Sequence, residues 1–174
     1  MAEKINTLFS EEEINARIRQ IGEQISRDYE GEEVHLICVL KGGSFFMCEL
    51  AKRITVPVFL DFMSVSSYGG ETTSSGVVKI VKDLDAPLKG KNVIVVEDIV
   101  DTGRTLSYLL NMLKGREPKS LRLCTLLDKP ERRVVDVAVD YTGFIIPDKF
   151  IVGYGLDYDQ KYRNLPFIGT VEFE

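Results

Sequence analysis

The amino-acid sequence predicts an α/β fold in which a central, mainly parallel sheet is flanked by helices. Short apolar runs rich in β-forming residues, such as residues 34–40 and 93–96, alternate with stretches in which apolar residues recur at helical spacing. A continuous apolar run is typical of a parallel strand that is covered on both faces. Because strand and helix patterns alternate along the chain, the strands are expected to pair in parallel.

The first helix is predicted over residues 10 to about 29. Ser10 and Glu13 have the spacing of a capping box, in which each side chain bonds the backbone of the other residue. Four isoleucines then recur at helical intervals, namely Ile14, Ile18, Ile21 and Ile25. The pattern indicates an amphipathic helix whose isoleucine face packs on the core.

The remaining elements follow as strand, turn and helix units. Residues 34–40 predict a strand that ends at a glycine turn, Lys41-Gly42-Gly43, before a helical pattern that runs to Arg53. Further strands are predicted from the apolar runs at 56–63, 93–96 and 121–127. Parallel sheets bind ligands beyond the carboxyl ends of their strands, so candidate site residues are expected there.

Length and composition favour one domain that spans residues 1–174. The chain is 44% hydrophobic and 28% charged, which is ordinary for a globular protein. No internal repeat, low-complexity tract or linker-like change in composition divides it. A chain of this length can bury one sizeable core.

The charge of the chain limits its partners. The formal net charge is −5, and an acidic surface disfavours broad contact with nucleic acid or anionic membranes, because both attract positive charge. We therefore expect no nucleic-acid and no membrane partner. A phosphorylated small molecule is compatible with this charge if a metal ion or a local cationic pocket offsets the repulsion.

The absence of targeting signals and the use of cysteine favour a cytoplasmic protein. The first residues form no apolar segment of the signal-peptide kind, and no later run reaches the length of a membrane span. The three cysteines, Cys38, Cys48 and Cys124, are odd in number and show neither CxxC nor zinc spacing. We expect buried free thiols.

The strongest candidate site follows the apolar run at 93–96. Glu97 and Asp98 come directly after it, and their oxygens suit ribose hydroxyls or a hydrated Mg²⁺. Residues 101–105, Asp-Thr-Gly-Arg-Thr, then lead into a helix, where backbone N–H groups form an anion site. The alternative is a solvated acidic turn that caps a helix. The glycines match neither GxxxxGK[ST] nor GxGxxG, which disfavours a P-loop NTPase and a Rossmann dehydrogenase.

Residues 93–105 resemble the phosphoribosyl pyrophosphate signature of type I phosphoribosyltransferases. In both, an apolar strand is followed by two acids, three further residues and T-G-x-T. Two other stretches resemble the hypoxanthine-guanine branch of that family, namely Leu40-Lys41-Gly42-Gly43 and residues 146–158, IPDKFIVGYGLDY. The resemblance covers essentially the whole chain, to Arg163. It implies the type I phosphoribosyltransferase fold, with a small hood over the site built from terminal segments.

The resemblance assigns most binding residues to phosphoribosyl pyrophosphate. The turn at Leu40-Lys41 would bring its backbone to the pyrophosphate, often through a cis peptide, although a plain strand-to-helix turn is the alternative. The implied nucleotide-binding set is Leu40, Lys41, Gly42, Ser67, Tyr68, Glu97, Asp98, Asp101, Thr102, Gly103, Arg104, Thr105 and Arg163. Mg²⁺ is the implied cofactor, with Glu97, Asp98 and Asp157 as its ligands.

The resemblance also implies which residues handle the base. Asp101 would be the catalytic residue, as a general base or hydrogen-bond acceptor near purine N7. Lys129 would donate to the exocyclic O6 and Phe150 would stack on the ring, whereas taken alone they read as a surface lysine and a core aromatic. The implied purine-binding set is Lys129, Phe150, Ile151 and Asp157.

Two features outside the main motif complete the expectations. Residues 64–76 are polar and rich in glycine, so a mobile loop is expected. In the family this loop closes over the reacting centre. His35 is the only histidine and lies in an apolar run, so we expect it to be structural.

The implied activity is magnesium-dependent purine salvage, in which phosphoribosyl pyrophosphate and hypoxanthine or guanine give IMP or GMP and pyrophosphate. A homodimer or homotetramer is implied as well. Two rivals are a phosphoribosyltransferase for another base and a regulator that senses phosphoribosyl pyrophosphate on the same fold. Lys129 with the PDKF stretch favours a 6-oxopurine. The sequence shows neither a helix-turn-helix pattern nor a basic stripe, which disfavours the regulator.

Overall fold

The computed structural model describes residues 2–67 and 77–174. Strands and helices follow one another along the described chain in this order: β1 (Glu3–Phe9), α1 (Glu11–Asp28), β2 (Val34–Val39), α2 (Ser44–Ala51), β3 (Val58–Ser67), β4 (Val78–Lys82), β5 (Asn92–Val100), α3 (Arg104–Lys114), β6 (Ser120–Asp128), a short 3₁₀ helix (Pro130–Arg132), β7 (Tyr141–Ile145), β8 (Ile151–Val152) and β9 (Ile168–Phe173).

Six strands form the central sheet in the order β4-β3-β2-β5-β6-β7. Every pair from β3 to β7 in that order is parallel, and β4 is antiparallel to β3. The predicted α/β fold with a mainly parallel sheet is therefore confirmed. Since β2, β5 and β6 are central neighbours, the segments that follow them meet at one edge of the sheet.

The expectation of a loop from residue 64 is wrong for its first four residues. Residues 64–67 belong to β3 and pair with β4, where Ser66 lies opposite Lys79 and Ser67 opposite Val78. Polar side chains do not prevent a strand here, because pairing with β4 satisfies the backbone hydrogen bonds. Residues 68–76 lie outside the described part of the chain.

A second sheet of three strands brings the two ends of the chain together. Its order is β1-β9-β8, and both pairs are antiparallel. β1, which the sequence analysis did not predict, pairs with β9 from Glu3 opposite Phe173 to Phe9 opposite Ile168. The turns between β8 and β9 carry Asp157 and Arg163.

Two apolar layers cover the faces of the central sheet. Alternate residues of a strand point to opposite faces, and accordingly Leu36 and Ile94 pack with α1 and α2, whereas Ile37 and Val95 pack with α3. Both strands are therefore buried on both sides. This double cover explains why β2 and β5 read as continuous apolar runs.

The helix α1 begins and packs as the sequence predicts. The Glu13 amide donates to Ser10 Oγ at 3.2 Å and the Ser10 amide donates to Glu13 Oε1 at 3.3 Å, which completes the capping box. The four isoleucines of its inner face are buried. No helix in residues 2–67 or 77–174 combines the length and the apolar character needed to cross a bilayer.

The cysteines are free thiols, but the expectation that all are buried is wrong for Cys48. Cys38 and Cys124 lie inside β2 and β6, and burial raises the pKa of the Cys38 thiol to about 12. Cys48 lies on α2 next to the buried Met47 and is exposed. Its position on the outer face of this short helix accounts for the difference.

Candidate active site

Two adjacent carboxylates stand near the carboxyl end of β5. Glu97 and Asp98 are both partly buried. Burial raises the pKa of Glu97 well above its usual range, and the negative charge of Asp98 raises it further. Burial also raises the pKa of Asp98, against the lowering effect of the Ile99 amide, which donates to Asp98 Oδ1 at 2.8 Å, and of the Arg163 charge. The site thus holds two mutually repelling acids in a place that favours a cation.

The loop after β5 is shaped by its neighbours into the start of α3. Gly103 has φ of 85°, and a Cβ there would lie 2.5 Å from the Val135 carbonyl oxygen, so the position requires glycine. The Thr102 carbonyl accepts from the amides of Val134 and Val135 at 2.9 and 3.1 Å. This bracing fixes the backbone N–H groups at the α3 N-terminus, an arrangement that suits a phosphate.

The turn after β2 lies directly against the acid pair. Its Leu40-Lys41 peptide is cis. A Cβ at Gly42 would lie 1.9 Å from Asp98 Oδ2, so any larger residue there would have to displace that carboxylate. The backbone of Lys41 and Gly42 therefore lines the same end of the sheet as Asp98.

The segment between β8 and β9 closes over this turn as a hood. A Cβ at Gly155 would lie 2.1 Å from the Gly42 carbonyl oxygen. Arg163 donates to the Gly155 carbonyl at 2.7 Å and forms an ion pair with Asp157 at 3.3 Å. Lys41 Nζ donates to Gln160 Oε1 at 3.4 Å. Lys41, Asp98, Asp157 and Arg163 are thus brought into one neighbourhood from three distant parts of the sequence.

A second neighbourhood lies after β6. Lys129 is only 9% exposed, and its ammonium donates to the Lys149 carbonyl at 2.6 Å. The Lys129 amide donates to the Val100 carbonyl at 3.0 Å, which places it beside the end of β5. Lys129 is therefore a constrained cation with donors to spare, and it differs from the solvated surface lysine that was the alternative interpretation.

Phe150 directly follows Lys149, whose carbonyl accepts from Lys129. Its side chain is 47% exposed, although it makes edge-on contacts with Tyr158 and Phe173 at centroid distances of 5.4 and 6.4 Å. An exposed ring held by two aromatic neighbours leaves a face for a flat ligand. Ile151 follows it as a buried residue of β8 and pairs with Thr170 of β9.

A series of charged side chains connects Asp101 to Lys129. Arg132 Nε donates to Asp101 Oδ1 at 3.0 Å, and the same guanidinium lies 3.8 Å from Asp148 Oδ2. Asp148 Oδ1 in turn lies 3.8 Å from Lys129 Nζ. The sequence analysis named neither Arg132 nor Asp148. Only their places in the sequence could have suggested a role in the site, since Arg132 lies three residues after Lys129 and Asp148 belongs to the PDKF stretch.

Some expected site features lie elsewhere or outside the described residues. Tyr68 and the Ser67 side chain are not described. His35 lies at the amino end of β2, where its ring stacks on Phe59 at 4.6 Å and burial lowers its pKa. This structural role, at the end of β2 that lies away from the acid pair, is the expected one.

The donor set suits Mg²⁺ in part. Within residues 2–67 and 77–174, no three His, Cys, Asp or Glu side chains come close enough together to hold a metal ion by themselves. Glu97 and Asp98 still offer carboxylate oxygens with raised pKa values, and Mg²⁺ commonly takes one or two carboxylates together with substrate phosphates. Such a shared site fits these residues better than an all-protein metal cage.

The fold and the site define a class of transferase that acts on a phosphorylated ribose. Residues 5–159 match the family model described as the phosphoribosyl transferase domain. The chain therefore belongs to the phosphoribosyltransferase family, and its sheet has the type I fold of that family.

Within this family the chain falls in the hypoxanthine-guanine branch. A hypoxanthine-guanine phosphoribosyltransferase of Streptococcus thermophilus (strain CNRZ 1066) is 53% identical over 167 residues, 96% of this chain and 93% of that protein. A hypoxanthine phosphoribosyltransferase of Buchnera aphidicola subsp. Schizaphis graminum is 49% identical over 176 residues, 100% of this chain and 99% of that protein.

Solved structures agree with this placement. The crystal structure of a hypoxanthine-guanine phosphoribosyltransferase from Bacillus anthracis has a TM-score of 0.94 and 52% identity, and the match covers 97% of this chain and 100% of that one. A hypoxanthine phosphoribosyltransferase from Staphylococcus aureus has a TM-score of 0.94 and 46% identity, with 96% and 91% covered. The chain is accordingly an enzyme of purine salvage.

Proposed function

We propose that this enzyme transfers the 5-phosphoribosyl group from phosphoribosyl pyrophosphate to hypoxanthine, guanine or both, and forms IMP or GMP with release of pyrophosphate. The observation that carries the proposal is the meeting of the Asp98 and Lys129 neighbourhoods along one edge of the sheet. One of them suits an anionic sugar phosphate with its metal, and the other suits a flat base that carries an acceptor oxygen. The names of its relatives support the same reaction.

The phosphate end of the substrate would be held by backbone and cations. The α3 N-terminus, with Thr102 and Thr105, receives the 5′-phosphate, while Lys41 and Arg163 face the pyrophosphate. Glu97 and Asp98 would hold Mg²⁺ together with oxygens of the substrate, and the metal would offset the charge of the pyrophosphate; the expected third ligand, Asp157, is paired with Arg163 instead. Together these groups stabilise the negative charge that develops on the leaving group.

Three side chains would hold the purine base: a hydrogen-bond donor, a hydrogen-bond acceptor and an aromatic ring. Phe150 stacks on the purine, Lys129 donates to O6, and Asp101 accepts the N7 proton. As the bond from N9 to the anomeric carbon forms, the bond from that carbon to the pyrophosphate oxygen breaks. No covalent enzyme intermediate is needed, and the enzyme works by placement and by charge.

We further propose a cytoplasmic location, because Cys38, Cys48 and Cys124 are all free thiols, as is usual in a reducing compartment. A homodimer or homotetramer, as the family resemblance implies, is also proposed. Sedimentation of the purified chain at several concentrations measures the subunit number directly, and a monomer at all of them would contradict an oligomer.

A steady-state assay tests the reaction. Purified enzyme with phosphoribosyl pyrophosphate and each of hypoxanthine, guanine, xanthine and adenine should form nucleotide from the first two and little from adenine. Exhaustive chelation should abolish turnover, and added Mg²⁺ should restore it. Tight binding of phosphoribosyl pyrophosphate without turnover of any base would instead identify the regulator, and full turnover after chelation would remove the metal from the mechanism.

A further inference from the structure

Arg132 joins the two groups that are proposed to recognise the base. It ends the 3₁₀ helix that starts directly after Lys129, and its amide donates to the Lys129 carbonyl at 3.1 Å. From this turn its Nε reaches Asp101 Oδ1 at 3.0 Å, while its Nη1 lies 3.8 Å from Asp148 Oδ2. The other Asp148 oxygen lies 3.8 Å from Lys129 Nζ. The charges therefore alternate in sign along the series Asp101, Arg132, Asp148 and Lys129.

The exposure of this chain of charges argues against a role in stability. The Arg132 and Asp101 side chains are 47% and 46% exposed, and exposed ion pairs contribute little to folding because solvent screens them. The neighbouring Arg133 and Asp128 form the better buried ion pair that ties the same turn to β6. The turn thus has its own anchor, and Arg132 is not needed to hold it.

The pattern of hydrogen bonds suits a role in orientation. Arg132 Nε donates to Oδ1 of Asp101 and not to Oδ2, which is the oxygen proposed to accept the proton. On a 6-oxopurine, N7 and O6 lie on the same edge of the ring, so the acceptor and the donor that meet them must keep a fixed separation. The planar Arg132 guanidinium lies between Asp101 and Asp148, and Asp148 lies 3.8 Å from Lys129 Nζ, so one side chain links the acceptor to the donor.

We propose that Arg132 is a positioning residue for the base: it orients Asp101 toward the purine N7 proton and, through Asp148, holds Asp101 and Lys129 in register. This inference rests on the proposed function, because it assumes that Asp101 accepts the proton. Arg132 itself does not take part in the bond changes. It acts through Asp101, as the supporting residues of preorganised sites do.

The test compares Arg132→Gln and Arg132→Lys with a matched control, Arg116→Gln. Arg116 makes a solvent-accessible pair with Asp83, at 2.8 and 3.1 Å, outside the site. Arg132→Gln should lower kcat/KM for hypoxanthine by about tenfold or more and leave the KM for phosphoribosyl pyrophosphate within about twofold. Arg132→Lys should recover part of the loss, and Arg116→Gln should match wild type. The melting temperature should be unchanged in all three.

A double variant shows whether Arg132 acts through Asp101 or whether its replacement lowers activity for another reason. In an Asp101→Asn background, Arg132→Gln should have little further effect, because its partner no longer accepts the proton. Equal losses in both backgrounds, or wild-type kinetics in Arg132→Gln, would overturn the inference while leaving the proposed reaction intact. If Asp101→Asn itself keeps wild-type turnover, the assumed proton acceptor is wrong and the inference fails with it. If wild type converts no 6-oxopurine, the proposed function itself is what fails.

Discussion

Replacement of Lys129 by glutamine tests how the enzyme chooses its base. The wild-type ammonium can only donate hydrogen bonds. One of its protons goes to the Lys149 carbonyl at 2.6 Å, and Asp148 Oδ1 lies 3.8 Å away, beyond hydrogen-bond distance, so the ammonium can donate a further hydrogen bond to a ligand. Hypoxanthine offers an acceptor oxygen at C6, whereas adenine offers an amino group there. Lys129→Gln replaces a charged donor by an amide that can donate or accept.

The size of the effect follows from the burial of this ammonium. A hydrogen bond to a charged group contributes about 1.5–3 kcal/mol, and an unpaired buried donor costs a similar amount. Since about 1.4 kcal/mol corresponds to a factor of ten, Lys129→Gln should lower kcat/KM for hypoxanthine by roughly 10- to 100-fold. For adenine, kcat/KM should fall less or rise, because the amide carbonyl can accept from the amino group.

The assay is the ratio of kcat/KM for hypoxanthine to kcat/KM for adenine in both proteins. Lys119→Gln is a suitable control, because Lys119 pairs with Glu32 at 2.7 Å and both side chains are exposed. The ratio should narrow by about tenfold or more in Lys129→Gln and stay constant in the control. A wild type that prefers adenine, or a ratio that Lys129→Gln does not move, would refute the assignment of Lys129 to O6.

Three further predictions concern the catalytic acid, the ring and the thiols. Asp101→Asn should lower turnover with hypoxanthine by about 10- to 10⁴-fold and affect phosphoribosyl pyrophosphate binding less, as initial rates and equilibrium titration would measure. Phe173→Ala should raise the KM for the base a few-fold by removing an aromatic contact to Phe150, worth about 0.5–1.5 kcal/mol, and an unchanged KM would contradict this. A thiol reagent near pH 8 should modify one cysteine, Cys48, in the folded enzyme and three after denaturation. The pKa of Cys38, raised to about 12, keeps it a protonated thiol at that pH, so rapid labelling of two or more thiols would count against the structure.

The sequence predicted the parts of the fold whose signals are local. Each of these signals, namely the capping box at Ser10, the isoleucine face of α1 and the apolar runs of β2 and β5, is carried by residues that are close together in the sequence. β1 was missed because its partner is remote: Glu3 pairs with Phe173 at the other end of the chain. Residues 64–67 were assigned to a loop for the same reason, since the pairing with β4 that makes them a strand lies beyond the local window.

The candidate site shows the same division between local and remote signals. The acids near the end of β5 and the Thr102–Thr105 turn form a continuous motif, so their residue types alone suggest an anion site next to groups that suit ribose hydroxyls or a hydrated Mg²⁺. The contact of Gly155 with Gly42 and the pair of Arg132 with Asp101 join segments 113 and 31 residues apart. No composition or periodicity predicts such contacts, because they depend on how the strands are ordered in the sheet.

The charges of the site explain how an acidic chain can take an anionic substrate. Placing Glu97 beside Asp98 in a partly buried position costs folding free energy at neutral pH, since burial raises both pKa values above those of solvated carboxyls. In a purely structural position such a pair would be expected to have a buried cationic partner. Here the Arg163 charge acts on Asp98, and contacts with the hood hold both Arg163 and Lys41. In the proposed mechanism, the acid pair would favour a substrate that arrives with a divalent cation, and the hood would supply further positive charge near the leaving group.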